Sequence, residues 1–189
     1  METYPKKKGF YYIRICGDSE KDKAYLLDYV KPLIKKLFGL DMGTYQHKKN
    51  KELYLTIGSK DLLFTLKNYG LKSGNKIKNK ACIPLWVFKS KNHLKACIRG
   101  LIDTDGSVIP ITGRNYPYIW FTCGSPTLRK DFKKAMSILG YKTSKWNFNG
   151  TPETYIGSKK LIQKFYKEIG FSNPKHINRF CSGGVVRSN

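Results

Sequence analysis

Acidic residues are scarce in this chain. Only 13 of its 189 residues are Asp or Glu, against 36 Lys and Arg, and the formal net charge is +23. A folded domain with this balance repels itself, so we expect it to bind a polyanion. Nucleic acid is the first choice, because neutralising phosphates releases their condensed counterions. An acidic membrane surface is disfavoured, since the sequence has no basic amphipathic helix with an isolated apolar face.

Cysteines and long apolar runs are also few. The five cysteines are widely spaced and form no C-x-x-C pair, which argues against a zinc knuckle and a disulfide framework. No stretch of ~18 apolar residues is present to span a membrane. The basic N-terminus "METYPKKKGF" has no apolar region behind it that would make a secretory signal. We therefore expect an intracellular protein, not secreted, with reduced thiols and no membrane partner.

What the chain does have is hydrophobic patterning that occurs twice. The string "YLTIGSKDLLFTLKNYG" lines up with "ETYIGSKKLIQKFYKEIG", about 100 residues later. In the first copy the pattern predicts strands at 11–16, 42–47 and 52–57, a helix at 21–38 that Pro32 should kink, and a helix from Ser59 to about residue 69. In the second copy it predicts a strand at 116–123, a helix capped by Ser125, two strands around "NGT", and a helix at 158–169.

The two copies are unequal. The second is preceded by a predicted helix at 90–103 and a strand near 107–112, whereas the first begins almost at its second strand. Aligning their Cys-Gly pairs sets Arg14 opposite Phe121, a mismatch that a one-residue slip or a bulge in one copy would remove. We expect an α+β chain with an incomplete half at 1–85, a complete unit at 86–180 and a tail at 181–189.

The helix before the second copy ends in two carboxylates, Asp103 and Asp105. A helix C-terminus disfavours negative charge unless a cation or turn hydrogen bonds compensate it. Because residues two apart do not share a helix face, we expect the two side chains to do different jobs. Asp-Gly is also ordinary turn chemistry. We predict a left-handed cap at the following residue, Gly106.

Residues 98–106, "IRGLIDTDG", resemble the LAGLIDADG motif of homing endonucleases. The order of predicted elements in the second copy is also that family's αββαββα unit. The resemblance covers residues 90–180 well and residues 11–76 as a partial unit. It implies a LAGLIDADG homing-endonuclease fold, whose antiparallel sheets form a DNA-binding saddle. It also implies a Mg²⁺-dependent endonuclease, intron-encoded or free-standing, that hydrolyses phosphodiesters at a long, specific site in double-stranded DNA.

The resemblance assigns roles to individual residues. Asp105 matches the acid that binds the divalent metal, and Lys175 and Lys76 match basic residues that order solvent around the phosphate. Positions implied for packing one motif helix against another are Ala96, Gly100, Asp103 and Gly106. Strand alternation turns Ile119, Phe121, Trp146 and Phe148 toward the helices. The side chains left for DNA are Arg14, Gln46, Lys48, Arg114, Tyr118, Trp120, Thr122, Thr143, Lys145 and Asn147.

The chain departs from the family in having one motif and nearly two units. Three explanations stay open: an N-terminus truncated relative to a two-motif ancestor, a homodimer through the helix at 90–103, or a binding remnant that no longer cuts both strands. The alternative function is a non-cleaving DNA- or RNA-binding protein of the same fold, such as an intron maturase that binds intron RNA.

Overall fold

The computed structural model describes residues 2–6, 10–47 and 50–182, with side chains from residue 11 onward within these ranges. The chain divides into two compact units, residues 1–79 and 80–189. The division falls before the expected one at residue 85, because residues 80–85 are attached to the second unit. There the Ala81 carbonyl accepts a hydrogen bond from the Thr127 hydroxyl at 2.6 Å, and the Ile83 amide donates to the Asp131 carboxylate at 3.0 Å.

The first unit is a four-stranded antiparallel sheet covered by helices. Its elements are β1 (Glu2–Lys6), β2 (Phe10–Asp18), π-helical turns (Tyr25–Val30) leading into α1 (Lys31–Phe38), β3 (Gly43–Gln46), β4 (Glu52–Gly58) and α2 (Lys60–Asn68). The strand order is β1-β2-β4-β3. Ser59 caps α2 as predicted, its hydroxyl accepting from the Leu62 amide at 3.1 Å. The core is formed by Ile13, Tyr25, Leu26, Val30, Met42, Leu53, Leu55, Ile57, Leu62 and Leu63.

Strand β1 corrects the expectation that the first copy begins at its second strand. It pairs antiparallel with β2, from Glu2 opposite Arg14 to Lys6 opposite Phe10. The sequence signal is weak because the strand contains Pro5 and flanking lysines. Proline is tolerated here because β1 is an edge strand. Within the described residues, the first unit therefore has both hairpins and both later helices, but no helix ahead of β1.

The helix accommodates Pro32 through wider turns that precede it. The amide of Lys31 donates to the Leu26 carbonyl, five residues back, and regular α-helix follows to Phe38. Proline lacks an N–H and crowds the carbonyl four residues before it. The predicted kink therefore takes the form of π-helical geometry just before Pro32.

The second unit has a three-stranded antiparallel sheet of order β5-β6-β7. Its elements are a short 3₁₀ helix (Leu85–Lys89), α3 (Lys91–Asp105), β5 (Gly106–Ile109), β6 (Tyr118–Thr122), α4 (Pro126–Ile138), β7 (Glu153–Ile156), α5 (Lys159–Glu168) and α6 (Pro174–Ser182). Ser125 caps α4 with Pro126 at its first position, as predicted. Helix α6 was not predicted, although Asn-Pro is a typical helix start. Its end at Ser182 places the first two residues of the expected tail in a helix, and residues 183–189 lie outside the described part.

A fourth strand was predicted around residues 142–148, and the structure has an interrupted pairing there. Asn147 forms a bridge with Glu153, but the Ser144 amide donates to Tyr155, one residue out of register. The Tyr155 amide in turn donates to the Ser144 hydroxyl at 3.1 Å. The Ser144 carbonyl accepts instead from the Lys133 ammonium and, at 2.8 Å, from the Thr154 hydroxyl. This is the geometry of a β-bulge, which disrupts a ladder locally.

Helix α3 lies at the centre of the second unit's core. Leu94, Ile98 and Ile102 have no more than 1% of their surface exposed. Ile119 and Phe121 of β6 are equally buried, which confirms the predicted face of this strand. In the described part of the chain, no helix has the length and hydrophobicity that crossing a bilayer requires.

Candidate nucleic-acid interface and motif helix

Gly106 joins α3 directly to β5, with φ −103° and ψ 174°. This is extended backbone, so the prediction of a left-handed cap is wrong. Glycine is needed here because a Cβ would lie 2.5 Å from the carbonyl oxygen and 2.8 Å from the Cα of Ile102. The strand therefore leaves the helix through a contact too close for any side chain.

Asp103 is buried, with 1% of its surface exposed. Its carboxylate accepts from the Ser172 amide at 3.0 and 3.1 Å and from the Asn173 amide at 3.1 Å. The Asn173 side-chain amide donates back to the Asp103 carbonyl at 3.1 Å. Burial raises the pKa of Asp103, and the amide hydrogen bonds oppose that rise. Asp103 thus satisfies amides just before α6, so turn hydrogen bonds compensate this carboxylate at the end of α3.

Asp105 is exposed at the last position of α3. Asp103 is buried and Asp105 is exposed, and the different jobs expected of the two side chains stay a prediction. Asp105 lies two residues beyond Asp103, and Lys175 lies two residues beyond Asn173, in the first turn of α6. Because Asp103 and Asn173 are hydrogen-bonded to each other, the backbone holds Asp105 and Lys175 at one end of the second unit. The roles given to these two side chains stay predictions.

Lys76 occupies a similar local setting in the first unit. The Asn75 side chain accepts from the amides of Ile77 and Lys78 at 2.9 and 3.0 Å. In the second unit the Asn173 side chain accepts from the Lys175 amide at 3.1 Å. Each lysine therefore lies in a turn opened by a capping asparagine.

Ala96 and Gly100 lie on the side of α3 that faces away from the core. Ala96 is exposed, and a Cβ built on Gly100 would meet nothing within 4 Å in the described residues. This side has the small residues that a second helix would need for close approach. Their predicted place in a helix interface stays untested by the geometry of one chain.

The open face of the first sheet is centred on Arg14. Its guanidinium carbon lies 5.4 Å from the ring centre of Tyr12 and 4.9 Å from that of Tyr54, and its buried Nε has no hydrogen-bond partner among the described residues. Tyr54 donates to the Glu52 carboxylate, which raises the pKa of Tyr54 to about 12. The tyrosine therefore stays neutral and hydrogen-bonded at neutral pH.

The prediction that Gln46 lies on this open face is wrong. Gln46 pairs with Leu53, which is buried on the helix side, so its side chain has the parity of the opposite face. The residue that shares the open face is Tyr45, which stacks on Tyr54 with ring centres 6.2 Å apart. Lys48, also predicted to contact DNA, lies outside the described residues.

The open face of the second sheet carries Tyr118, Trp120 and Thr122, all half-buried, as predicted. Arg114 precedes them in the loop and donates to the Tyr116 hydroxyl at 2.6 Å. The structure adds Tyr155, which pairs with Trp120 across β6 and β7. The sequence signal for Tyr155 was its alternation with the buried Ile156.

Two of the faces predicted around the bulge are wrong. Thr143 lies on the helix side, where its hydroxyl accepts from the Lys133 ammonium of α4 at 2.6 Å. Phe148, expected inside, is 63% exposed. The bulge breaks the period of two on which both predictions depended. Lys145 and Asn147 are exposed as predicted.

Strand registers align the two open faces residue by residue. Gly58 and Gly157 both stand in the string Ile-Gly-Ser-Lys, and Thr56 and Tyr155 both lie two positions before that glycine. Arg14 pairs with Thr56 and Trp120 pairs with Tyr155, so Arg14 is equivalent to Trp120 and not to Phe121. The one-residue slip expected from the Cys-Gly alignment is confirmed.

The described residues offer few ligands for a divalent ion. They contain no group of three His, Cys, Asp or Glu side chains that could enclose a metal. Mg²⁺ commonly binds through one or two carboxylates together with waters and substrate phosphates. Asp105, exposed at the negative end of a helix, fits as one ligand of an ion shared with a phosphate and does not fit a cage made by the described residues alone.

Comparisons with known proteins agree with the architecture. Residues 92–170 match the family model described as a LAGLIDADG-like domain. I-DmoI in complex with DNA and Mn is similar with a TM-score of 0.61 at 17% identity, over 89% of this chain and 88% of that one. The N-terminal LAGLIDADG domain of DUF199/WhiA gives 0.53 at 13%, over 89% and 76%. The K262A mutant of I-SmaMI gives 0.55 at 12%, over 90% and 78%. No curated protein sequence matches the chain.

Proposed function

From its LAGLIDADG-like domain over residues 92–170 and its LAGLIDADG homing-endonuclease fold, we propose that this chain is a site-specific DNA endonuclease. It binds a long duplex target through the open faces of its two sheets and hydrolyses phosphodiesters with a divalent ion held at Asp105. The charge of +23 supports a nucleic-acid partner. The intron-encoded origin and the choice of Mg²⁺ are part of this proposal.

The observation that carries the proposal is the hydrogen-bonded junction between Asp103 and the turn before α6. The Asp103 carboxylate and the Asn173 amide hold the ends of α3 and α6 together at 3.1 Å. An acid at the tip of one helix and a lysine in the first turn of the other are thereby held on one rigid backbone. Rigid elements of this kind keep reacting groups in position, which is a large part of catalysis.

The Asp105 carboxylate would hold a divalent ion, which would supply Lewis-acid activation of a water and stabilisation of the leaving oxygen. The similar structures include I-DmoI complexes with DNA and Mn or Ca. In this chain the Asp105 carboxylate supplies one oxygen ligand. Lys175, and Lys76 in the first unit, supply positive charge beside the backbone phosphates.

One acid per chain bears on the number of strands that are cut. A second copy, packed through the open side of α3 at Ala96 and Gly100, would bring a second Asp105. A single copy would at most nick. Measuring the mass of the complex with its target, and scoring nicked against linear plasmid, distinguishes the homodimer from the monomer.

The test begins with selection of a bound site from random duplex DNA. A plasmid with that site is then incubated with the full chain and Mg²⁺ or Mn²⁺. We expect cleavage by the parent chain and a loss of about a thousandfold or more for Asp105→Asn, with duplex affinity retained, because metal ligation contributes several kcal/mol to the transition state.

The matched control is Asp41→Asn. It removes the same charge from an exposed carboxylate that pairs with Lys35 at 3.0 Å in the first unit. We expect it to cut like the parent. Normal cutting by Asp105→Asn would overturn the assignment of the acid.

The second candidate is a non-cleaving DNA- or RNA-binding protein of the same fold. It is favoured by the single motif acid of the sequence, Asp105, because the family's two-strand cleavage uses an acid from each of two motifs. A parent chain that binds the selected duplex tightly but leaves it intact with Mg²⁺ and with Mn²⁺ would establish this alternative. Binding of intron RNA in preference to that duplex would identify the maturase form.

A further inference from the structure

Three aromatic rings cover the middle of the second sheet's open face. Tyr118 and Tyr155 stack with ring centres 5.0 Å apart and planes 13° from parallel. The Trp120 ring centre lies 4.6 Å from that of Tyr155, with the planes tilted by 38°. All three side chains are only half-buried. We call Tyr118, Trp120 and Tyr155 the aromatic cluster.

A cavity of about 420 Å³ opens beside the aromatic cluster. It is lined by Trp120, Ser144, Lys145, Trp146, Asn147, Glu153 and Tyr155. The lining thus combines three aromatic side chains with an ammonium, an amide, a hydroxyl and a carboxylate. Aromatic walls with a few polar groups, at a volume between about 300 and 1,000 Å³, are typical of sites for small ligands.

The indole N–H of Trp120 is a hydrogen-bond donor without an acceptor among the described residues. Its nitrogen is buried and has no hydrogen-bond partner in the part of the chain that the structure describes. A buried donor without an acceptor destabilises a fold, so such groups are rare and call for an explanation. Because this nitrogen has no accessible surface, a carbonyl oxygen or ring nitrogen of a ligand in the adjoining cavity becomes its acceptor only when the lining side chains move on binding.

Positive charge surrounds these rings. The Arg114 guanidinium carbon lies 5.3 Å from the ring centre of Tyr118, and Lys145 is exposed at the cavity. The Lys159 ammonium lies 6.0 Å from the ring centre of Tyr116. Residues 80–189 contain 19 Lys and Arg against five Asp and Glu. A planar ligand here is therefore expected to carry phosphate.

We propose that the aromatic cluster and its cavity bind an unpaired nucleobase of a single-stranded nucleic acid. The base stacks on the rings, its acceptor receives the Trp120 N–H, and an exocyclic amino group donates to the Glu153 carboxylate. Arg114 and Lys145 bind the neighbouring phosphates. Aromatic rings with flanking cations are the usual platform for single strands. The proposal rests on the nucleic-acid-binding part of the proposed function and not on cleavage.

A base inside a regular duplex does not satisfy this surface. Its faces are covered by the neighbouring bases, and the grooves expose only its edges and polar groups. A ring cluster can stack on a base only where that base is unstacked, at a single-stranded segment or an opened position in the target. The face is suited to duplex contacts at its rim and to an unpaired base at its centre.

The test uses the full chain with Asp105→Asn and without divalent metal, so that cleavage is excluded. Labelled oligonucleotides of about 12 nucleotides are titrated by fluorescence anisotropy, as single-stranded DNA, as single-stranded RNA and as duplex DNA. We expect Trp120→Leu to weaken single-strand binding about tenfold or more, with a smaller effect on the duplex. Trp120→Phe, which keeps a ring, should retain most of the affinity. The more tightly bound of the DNA and RNA strands identifies the source of the base.

Trp86→Leu is the matched control, because it makes the same change at an exposed tryptophan in the 3₁₀ helix before α3, outside the strands and the aromatic cluster. It should change single-strand affinity by no more than about twofold. Thermal unfolding of each variant separates a loss of folding from a loss of binding, and Trp120→Phe serves where Trp120→Leu unfolds. The proposal is overturned if a folded parent chain does not bind single strands, or if the folded Trp120 variants bind them as the parent does. Metal-dependent duplex cleavage is scored separately, so its presence or absence decides only the nuclease proposal.

Discussion

The two sheets have the same register but different chemistry at equivalent positions. Tyr12 and Tyr118 are equivalent, and the next residue on the same face is Arg14 in the first unit and Trp120 in the second. The partner across the strands is Thr56 opposite Arg14 and an aromatic ring opposite Trp120. One repeat therefore presents a guanidinium that can donate to phosphates and base edges, and the other presents rings that can stack. A shared backbone fixes where a side chain stands and leaves its recognition chemistry to vary.

The units also differ in how their acidic residues are used. The second unit has the motif helix, and the end of that helix is tied to α6 through Asp103. The first unit has no counterpart of this helix among the described residues, and its equivalent turn is capped locally by Asn75. Removing the long-range hydrogen bonds of Asp103 and removing the local cap of Asn75 should therefore lower the free energy of unfolding by very different amounts.

The largest expected difference is between Asp103→Ala and Asn75→Ala. Removing the Asp103 carboxylate leaves the buried amide of Asn173 and the partly buried amide of Ser172 without acceptors, and we expect the free energy of unfolding to fall by about 3 kcal/mol. Asn75→Ala removes an exposed cap and should cost about 1 kcal/mol. Denaturant unfolding followed by fluorescence reports the first change, because all three tryptophans lie in residues 80–189. Amide hydrogen exchange in α2 reports the second. Equal losses of unfolding free energy in the two variants would show that the Asp103 hydrogen bonds contribute no more than a surface cap.

The second test concerns Gly100, within α3, and Gly106, the first residue after it. In Gly106→Ala the added Cβ would lie 2.5 Å from the Ile102 carbonyl, and backbone has to shift to relieve it. We expect a loss of about 1–3 kcal/mol in the free energy of unfolding, measured by tryptophan fluorescence. Gly100→Ala meets no atom within 4 Å and should stabilise the helix by about 0.5–1 kcal/mol. A Gly106→Ala variant as stable as the parent would contradict the close approach at this junction.

The sequence predictions succeeded where the interaction joins residues close in sequence and failed where it joins distant ones. Ser59 and Ser125 cap helices through bonds to amides three residues away, and both helix starts were predicted. Asn173, the partner of Asp103, is about 70 residues distant in sequence. The role of Asp103 in holding α6 could therefore not be predicted from local sequence. The faces of Thr143 and Phe148 failed because Lys133, on another element, takes the carbonyl that a regular ladder would use. The LAGLIDADG-like motif was visible because its residues are contiguous.

The third test compares the open faces through salt dependence. Arg14→Leu removes a charge that we expect to lie near phosphate, so the slope of log affinity for duplex DNA against log salt should decrease by about 1. Trp120→Leu removes a ring and should leave that slope unchanged. Anisotropy titrations at several salt concentrations measure both. If the two variants changed the slope equally, the chemical difference between the faces would have no consequence for binding.

The smallest expected difference is the response of each unit to acid. Burial raises the pKa of Asp103 above 3.8, so the folded state binds more protons than the unfolded state just above that pH. The stability contributed through Asp103 should therefore fall as pH rises through this window, and stay constant above the folded-state pKa. In the first unit, hydrogen bonds from the amides of Lys21 and Glu20 lower the pKa of Asp18 below 3.8. Its contribution is present above 3.8 and lost as pH falls through the folded-state pKa.

Paired variants isolate these two contributions. Tryptophan fluorescence measures the difference in unfolding free energy between the parent and Asp103→Asn. Amide exchange in β2 measures the same difference between the parent and Asp18→Asn. Acidification below pH 3.8 should shrink the Asp18 difference, whereas acidification through the window above pH 3.8 should increase the Asp103 contribution. Curves of the same sign would mean that the amide hydrogen bonds to Asp103 outweigh its burial, because hydrogen bonding to the carboxylate is what lowers a pKa.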